Sequence, residues 1–329
     1  FPYTTLFRSL FDNIPGYPAG HRVFTNFFGG QRQNITLGFP AHLSKFELSE
    51  AFNASYKEII QNPIPYQTVE TGPVMENIME GDDVNVLSLP VPLWHAEDGG
   101  RYIGTGSFNV TRDPEENWIN VGTYRVMVQD EKTVGFYISP GKHGRIHRQK
   151  YTAANEPMPV CVVVGVDPLS FLMSSTEIPY GVCEYDVMGA IRGAPVELID
   201  CETVPLQVPA TAEIVIEGYI SADPKTFVAE GPYAEFTGYY ATDASPKHNT
   251  RVTAITHRDK PIFRGTIEGA LPGSFAENAI MSSVQRSAVA WNALDSAGVP
   301  GITDVWGPPI HAGVNVYVQM EQSYRGQAK

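Results

Sequence analysis

The stretch EGPYAEFTGYY sets Glu230 and Glu235 five residues apart across a Gly-Pro step, with Tyr233, Phe236, Tyr239 and Tyr240 beside them. Two carboxyls among aromatic rings are a candidate acid/base pair. On these residues alone, an exposed acidic loop is the alternative.

Three other clusters carry polar chemistry. NVGTYR brings Asn120 and Arg125 into a segment that alternates like a strand. Residues five apart on an unbroken strand point to opposite faces, so these two serve different neighbours unless a bulge near Gly122 intervenes; a polar strand edge is the alternative. SPGKHGRIH, from Ser139 to His147, is a Gly- and Pro-punctuated loop with two histidines and two basic residues, Lys142 and Arg145. Its backbone amides with Lys142 or Arg145 suit a phosphate, although it lacks the spacing of a P-loop or a dinucleotide fingerprint; a solvated basic turn is the alternative. In CEYDVMGAIRGAPVEL, Glu184 heads a short segment of helical spacing, a place where a carboxylate also complements the helix dipole.

Elements must position these groups, and the composition says what kind. The chain has 329 residues, 43% hydrophobic and 18% charged, the profile of a globular protein of two or three domains. A formal charge of -13 argues against nucleic acid and anionic membrane surfaces as partners and leaves an anionic substrate in need of a local cation, for which Arg125 is the candidate. Cys161, Cys183 and Cys201 show no CxxC spacing, which argues against a disulfide framework or zinc knuckle and fits a cytoplasmic location; Cys161, in VCVVVGV, reads as a buried inert thiol. No run approaches the ~20 apolar residues of a membrane span.

Residues 10–90 read as a small α/β unit containing the helix-permissive LSKFELSEAFNASYKEIIQN. From about 91 to 273 the pattern turns to β: VPLW, YIGTGSFNVT, WINVGTYRVMVQ, TVGFYIS, PVCVVVGV, AEIVIEGYI and RVTAITHR are short runs punctuated by Gly, Pro and Asp, as in a barrel or sandwich. Ser274 and Glu277 have capping-box spacing and open a helix of about five turns over 274–297. Residues 298–329 begin a further segment whose strand VNVYVQM needs a partner, here or in a C-terminal remainder. Residues 1–9, FPYTTLFRS, match one translation of a sequencing-adapter string, so the native protein is expected to enter near Leu10.

In order along the chain, Asn-x4-Arg, the Gly-Lys-His loop, Glu-Tyr with a downstream Gly-x-x-x-Gly-x-Pro, and Glu-Gly-Pro-aromatic-Ala-Glu together resemble the UbiD family of prenylated-flavin-dependent decarboxylases. IPGYPAGHRVFTNFFG near the start and EIVIEGYI add to the likeness, which runs from about residue 13 to 329. The resemblance implies an α+β protein: an N-terminal α/β domain, a central split β-barrel holding prenylated FMN, and a linking helix into a C-terminal oligomerisation domain, here truncated.

It also implies roles. Arg125, Glu230 and Glu235 fall on the catalytic set, with Arg125 and Glu230 holding the substrate carboxylate and Glu235 donating the proton. Asn120, His143 and Glu184 fall on the ligands of a divalent ion, usually manganese, that bridges to the cofactor phosphate; a potassium ion near Glu184 is also implied. Thr123, Arg125, Lys142, Ser174 and Ser175, with the three metal ligands, are the implied cofactor contacts, whereas Thr176 and Glu177 depart from the Met-Pro of many members. The expectation is a cytoplasmic, homodimeric or higher-order carboxy-lyase acting reversibly on an aromatic or α,β-unsaturated carboxylic acid, supplied with cofactor by a separate flavin prenyltransferase. A non-catalytic flavin-binding or assembly subunit and a two-carboxylate glycosidase are the alternatives. Ile280 and Met281 either line the pocket or pack in the core.

Overall fold

The strand Met158–Val164 is an unbroken apolar run, MPVCVVV, and such a run is stable only when both faces of a strand are covered. The computed structural model, which describes residues 9–104, 106–269, 276–311 and 314–327, shows how that is achieved. Cys161 and Val163 point into one core, built with helices; Met158, Val160, Val162 and Val164 point into a second, enclosed by the sheet itself.

The sheet has nine strands: β1 (Asn77–Glu80), β2 (Phe108–Arg112), β3 (Ile119–Gly122), β4 (Arg125–Val128), β5 (Thr133–Tyr137), β6 (Met158–Val164), β7 (Ile214–Ile220), β8 (Val228–Glu230) and β9 (Ser245–His257). Its order is β3-β2-β6-β7-β9-β5-β4, with β1 and β8 also paired to β9. The two terminal strands, β3 and β4, are consecutive in sequence and separated only by Thr123 and Tyr124. A sheet whose opposite ends are tied by two residues has to curl, and it forms a half-barrel in a mixed α+β fold. All its pairings are antiparallel.

Besides a short helix at Arg32–Thr36, five longer α-helices among the described residues build the framework: α1 (Lys45–Gln61), α2 (His143–Ala153), α3 (Pro168–Ser174), α4 (Glu184–Arg192) and α5 (Glu277–Ser296). The loose apolar stripe of α1 is offset by a full capping box, Ser44 with Glu47, worth about 1 kcal/mol. Leu48 and Phe52 of α1 share a core with Phe171 of α3, Tyr185 of α4 and Val284 of α5. Strand Arg22–Thr25 pairs in parallel with Ile262–Arg264, and Gln67–Thr68 pairs with Glu197–Asp200, so early and late parts of the chain are laced together.

Several expectations are corrected by this arrangement. VPLW forms no strand; Val91 is buried in the core and Trp94 donates its indole N–H to the Tyr102 carbonyl. YIGTGSFNVT becomes a strand only from Phe108, Tyr102 making a single bridge to Met127. WINVGTYRVMVQ is two strands rather than one. The capping partner Ser274 lies outside the described residues. α5 starts after Ala276, and Glu277 is engaged elsewhere: it accepts from the Phe28 N–H at 2.8 Å and pairs with Arg264 at 3.3 Å. The VNVYVQM strand finds its partner within the chain, Tyr317–Met320 pairing with Ile302–Trp306.

Candidate active site

The break between β3 and β4 builds the site. Asn120 on β3 and Arg125 at the start of β4 line different cavities, and Thr123, Tyr124 and Lys142 line both.

Arg125 opens β4 and Glu230 closes β8; β5 and β9, lying between, bring the two together. Glu230 is fully buried behind the guanidinium. Arg125 Nη2 donates to its Oε2 at 2.8 Å, and Nε lies 2.6 Å from Oε1 as an ion-pair contact off hydrogen-bond alignment. The Tyr102 hydroxyl donates to the same Oε1 at 3.0 Å. On the cavity side Nη1 donates to Glu235 Oε1 at 2.8 Å. The rings of Tyr137 and Tyr233 each lie 4.8 Å from the guanidinium carbon, adding cation–π attraction to a charge short of water. Burial opposes that charge, but Glu230 and Glu235 outweigh it and raise the Arg125 pKa.

Glu235 is reached from Glu230 through a cis Gly231–Pro232 peptide, with Gly231 at φ 98°, in the left-handed region where glycine alone is unstrained. The turn beyond is closed by the Glu235 N–H to the Tyr239 carbonyl and held by Asp98, whose Oδ1 accepts the Ala234 N–H. Burial pushes the Glu235 pKa up, partly offset by Arg125. Its side chain is 30% exposed, against none for Glu230, so Glu235 is the member of this pair that reaches the cavity.

The larger cavity, about 630 Å³, is lined by all of the expected cofactor contacts except Arg125: Asn120, Thr123, Lys142, His143, Ser174, Ser175 and Glu184. His143 and Glu184 each open a helix, α2 and α4. Burial, then Lys142, lowers the His143 pKa and favours the neutral imidazole. Burial pushes Glu184 up to about 8; its Oε2 accepts the Val121 N–H at 2.7 Å. Among the described residues no three His, Cys, Asp or Glu side chains converge as a metal-ligand set. The amide of Asn120 is therefore essential to the expected site.

That amide is oriented. Its Nδ2 donates to the Tyr124 hydroxyl at 2.8 Å and to Thr111 Oγ1 at 3.3 Å, which turns Oδ1 away from both. The Tyr124 hydroxyl also accepts the Gly144 N–H at 3.0 Å, tying the first turn of α2 to β3. Gly122 is needed here: a Cβ would stand 2.4 Å from the Tyr124 oxygen.

Ser174 and Ser175 end α3; Ser174 lies 3.3 Å from Thr123 across the cavity wall. Thr176 and Glu177 line the same cavity. Met281 lines it as well as belonging to the core, whereas Ile280 does not. Sequence reasoning missed Tyr102, Tyr124, Tyr137 and Glu268, which no spacing rule links to Arg125. Of these, only Tyr124 stood inside a motif already singled out.

The sequence pattern of UbiD, described as the 3-octaprenyl-4-hydroxybenzoate carboxy-lyase Rift-related domain, matches residues 67–271. Pyrrole-2-carboxylic acid decarboxylase of Pseudomonas aeruginosa is 32% identical over 306 residues, 92% of this chain and 60% of that protein. Phenolic acid decarboxylase of Sedimentibacter hydroxybenzoicus is 31% identical over 330 residues, 97% and 66% respectively. The chain thus spans just under two thirds, or less, of these relatives. Among solved structures, an evolved dimeric form of the UbiD-class enzyme HmfF from Pelotomaculum thermopropionicum in complex with prFMN superposes with a TM-score of 0.87 at 29% identity, covering 99% of this chain and 72% of that one. The closed form of vanillic acid decarboxylase from Sedimentibacter hydroxybenzoicus gives 0.87 at 29% identity, over 98% and 66%. With the matched region spanning more than half of its length, the chain belongs to the UbiD family.

Proposed function

We propose that this chain carries the cofactor and substrate sites of a decarboxylase that acts reversibly on an aromatic or α,β-unsaturated carboxylic acid with prenylated FMN. The observation that carries the reading is the Glu230–Arg125–Glu235 arrangement at a cavity adjoining a second, larger one that suits a phosphate-bearing flavin.

The donor chemistry fits the cofactor. Asn120 Oδ1, neutral His143 and Glu184 would hold a divalent ion such as Mn2+, a hard or borderline set completed by phosphate and water. Glu184 would also neighbour a potassium ion. Thr123, Lys142, Ser174 and Ser175 would contact the flavin and its phosphate, within a unit of about residues 91–273. When bound, prenylated FMN supplies the sink for the electron pair left as CO2 departs.

The chain's own residues do the rest. Glu230 neutralises Arg125 and fixes its plane, leaving Nη1 toward the cavity. A substrate carboxylate would compete there with Glu235. One guanidinium already paired with Glu230 does not stabilise two further negative charges, so substrate binding favours the protonated form of Glu235. The carbon–carboxyl bond then breaks, CO2 leaves, and the Glu235 proton passes to that carbon. Glu235, left ionised, returns to Arg125 and recovers a proton through its exposed side. Carboxylation is the reverse.

By analogy with the dimeric relative, a homodimer is the expected assembly, with a flavin prenyltransferase as cofactor source. Among the described residues no helix is long and apolar enough to cross a membrane, and we place the protein in the cytoplasm. The test is reconstitution with prenylated FMN and Mn2+ and measurement of CO2 release over a panel of aromatic and unsaturated acids. Release from at least one acid is expected. Bound flavin with no release from any acid would favour a flavin-binding subunit instead.

A further inference from the structure

Residues 98–103 lie between the two halves of the site and are bonded to both. Toward the turn that carries Glu235, Asp98 Oδ1 accepts the Ala234 N–H at 3.0 Å, the Gly99 N–H donates to the Pro232 carbonyl at 2.8 Å, and the Tyr102 hydroxyl donates to Glu230 Oε1 at 3.0 Å. The approach is so close that a Cβ on Gly99 would stand 1.9 Å from the Gly231 carbonyl oxygen. Toward β4, the Ile103 N–H donates to the Val126 carbonyl and the Val128 N–H to the Arg101 carbonyl, each at 2.9 Å. One segment therefore sets the strand that begins at Arg125 against the turn that joins Glu230 to Glu235.

Tyr102 is the member whose side chain reaches the ion pair. It is fully buried, with its ring 4.6 Å from that of Tyr233. A phenol is protonated near neutral pH and has one proton to give. The Pro232 carbonyl, 3.3 Å away, already holds the Gly99 N–H, so the proton goes to the carboxylate, the stronger acceptor. Among the described residues, Arg125 and Tyr102 are the hydrogen-bond donors to Glu230. Arg125 alone would let carboxylate and guanidinium turn together. A second donor, from another part of the chain, stops that rotation and fixes where Nη1 points.

We propose that Tyr102 is a positioning residue: by holding Glu230 it fixes the direction in which Arg125 Nη1 meets the carboxylate of the acid. The inference rests on the placement of that carboxylate at Arg125 under the proposed function. Tyr102 has no place in the cavity wall, so it acts through Glu230 and not by contact.

The test is a double-mutant cycle on acid affinity in the FMN-loaded chain, with benzoic, 4-hydroxybenzoic and pyrrole-2-carboxylic acids as probes. Tyr102→Phe keeps the ring and removes the hydroxyl. It is expected to weaken the acid that binds wild type best by about tenfold, the scale of one lost hydrogen bond to a charged group, with FMN affinity held within about twofold. In a Glu230→Gln background the same change is expected to cost about twofold or less, because a residue that acts through a partner loses its effect once that partner's charge is gone. A general packing role would cost the same in both backgrounds and lower FMN affinity alongside. Acid affinity in Tyr102→Phe within about twofold of wild type, an equal loss in the Glu230→Gln background, or an equal fall in FMN affinity would overturn the assignment. If the Glu230→Gln chain does not fold, benzoic acid against benzamide decides: Tyr102→Phe should weaken the carboxylate and spare the neutral amide, and equal losses overturn the proposal. CO2 release by the prenylated-FMN-loaded wild type is followed in parallel. Coupling without release from any acid keeps this inference and sinks the reaction, release without coupling does the reverse, and binding of no acid overturns both.

Discussion

Arg125 and Glu230 meet along one edge of the guanidinium, Nη2 at 2.8 Å and Nε at 2.6 Å, while Nη1 is turned to Glu235. The buried acid thus orients the plane of the cation, and the cavity-facing acid occupies the place where, in the proposed reaction, an incoming carboxylate would bind. Lysine has the charge but a single pivoting ammonium, so it cannot serve Glu230 and a substrate in fixed directions. Arg125→Lys is expected to lower kcat/KM by about 100-fold, the scale of a misplaced reacting group. FMN absorbance should show the flavin still bound. Near-wild-type kcat/KM would refute the fork's role.

Glu235 must be protonated to deliver a proton, and burial raises its pKa above the ordinary glutamate value of 4.5. The sign follows from the proposed role: the active form would be the protonated one, so kcat is expected to fall as pH rises through the raised pKa. The falling limb is expected above pH 4.5, and Glu235→Gln should abolish CO2 release with the flavin retained. A kcat that rises across that limb, or an active Gln variant, would remove Glu235 from the role.

One buried and one half-buried histidine make the fold sensitive to acid. Burial lowers both His147 and His248 from 6.5 to about 4, Asp113 opposing in the first case and Arg148 adding to the effect in the second. Between those values the unfolded chain binds more protons than the folded one, so stability is full above pH 6.5 and is lost as pH falls toward 4. Melting temperature should drop across that window. His248→Gln removes one titrating group, and an unchanged slope in that variant would exclude His248 as a contributor.

What the sequence made legible follows from how local each signal is. Strand runs such as MPVCVVV and the helix opening at Glu184 are set by neighbouring residues, and the structure reproduces them. The motif order carried the family because its pieces are contiguous. The break at Thr123–Tyr124 was less legible: alternation continues through NVGTYR, and only closure of the sheet ends the strand there. Tyr102 and Glu268 were invisible because their partners, Glu230 at 128 positions' distance and Asn278 on another element, are brought by folding. Glu277 misled because its spacing from Ser274 suits a cap, whereas the core supplies Arg264 and the Phe28 N–H instead.

Tyr124 offers a test of the ligand set that does not depend on turnover. Its hydroxyl accepts from both Asn120 Nδ2 and the Gly144 N–H, so one oxygen fixes the amide of Asn120 and the helix turn that begins at His143. Thr111 Oγ1 extends the network: it accepts from Asn120 and lies 3.0 Å from His147 Nδ1. Tyr124→Phe keeps the ring and removes that oxygen, leaving Asn120 held by Thr111 alone. Loss of a group that orients a metal ligand typically weakens binding by about 10- to 100-fold. A drop of that size in Mn2+ affinity is expected for the FMN-loaded variant, read from the electron paramagnetic resonance signal of free Mn2+. FMN affinity measured without metal should fall less. Equal Mn2+ affinity in the two proteins would show that Asn120 needs no such support, or does not bind the ion.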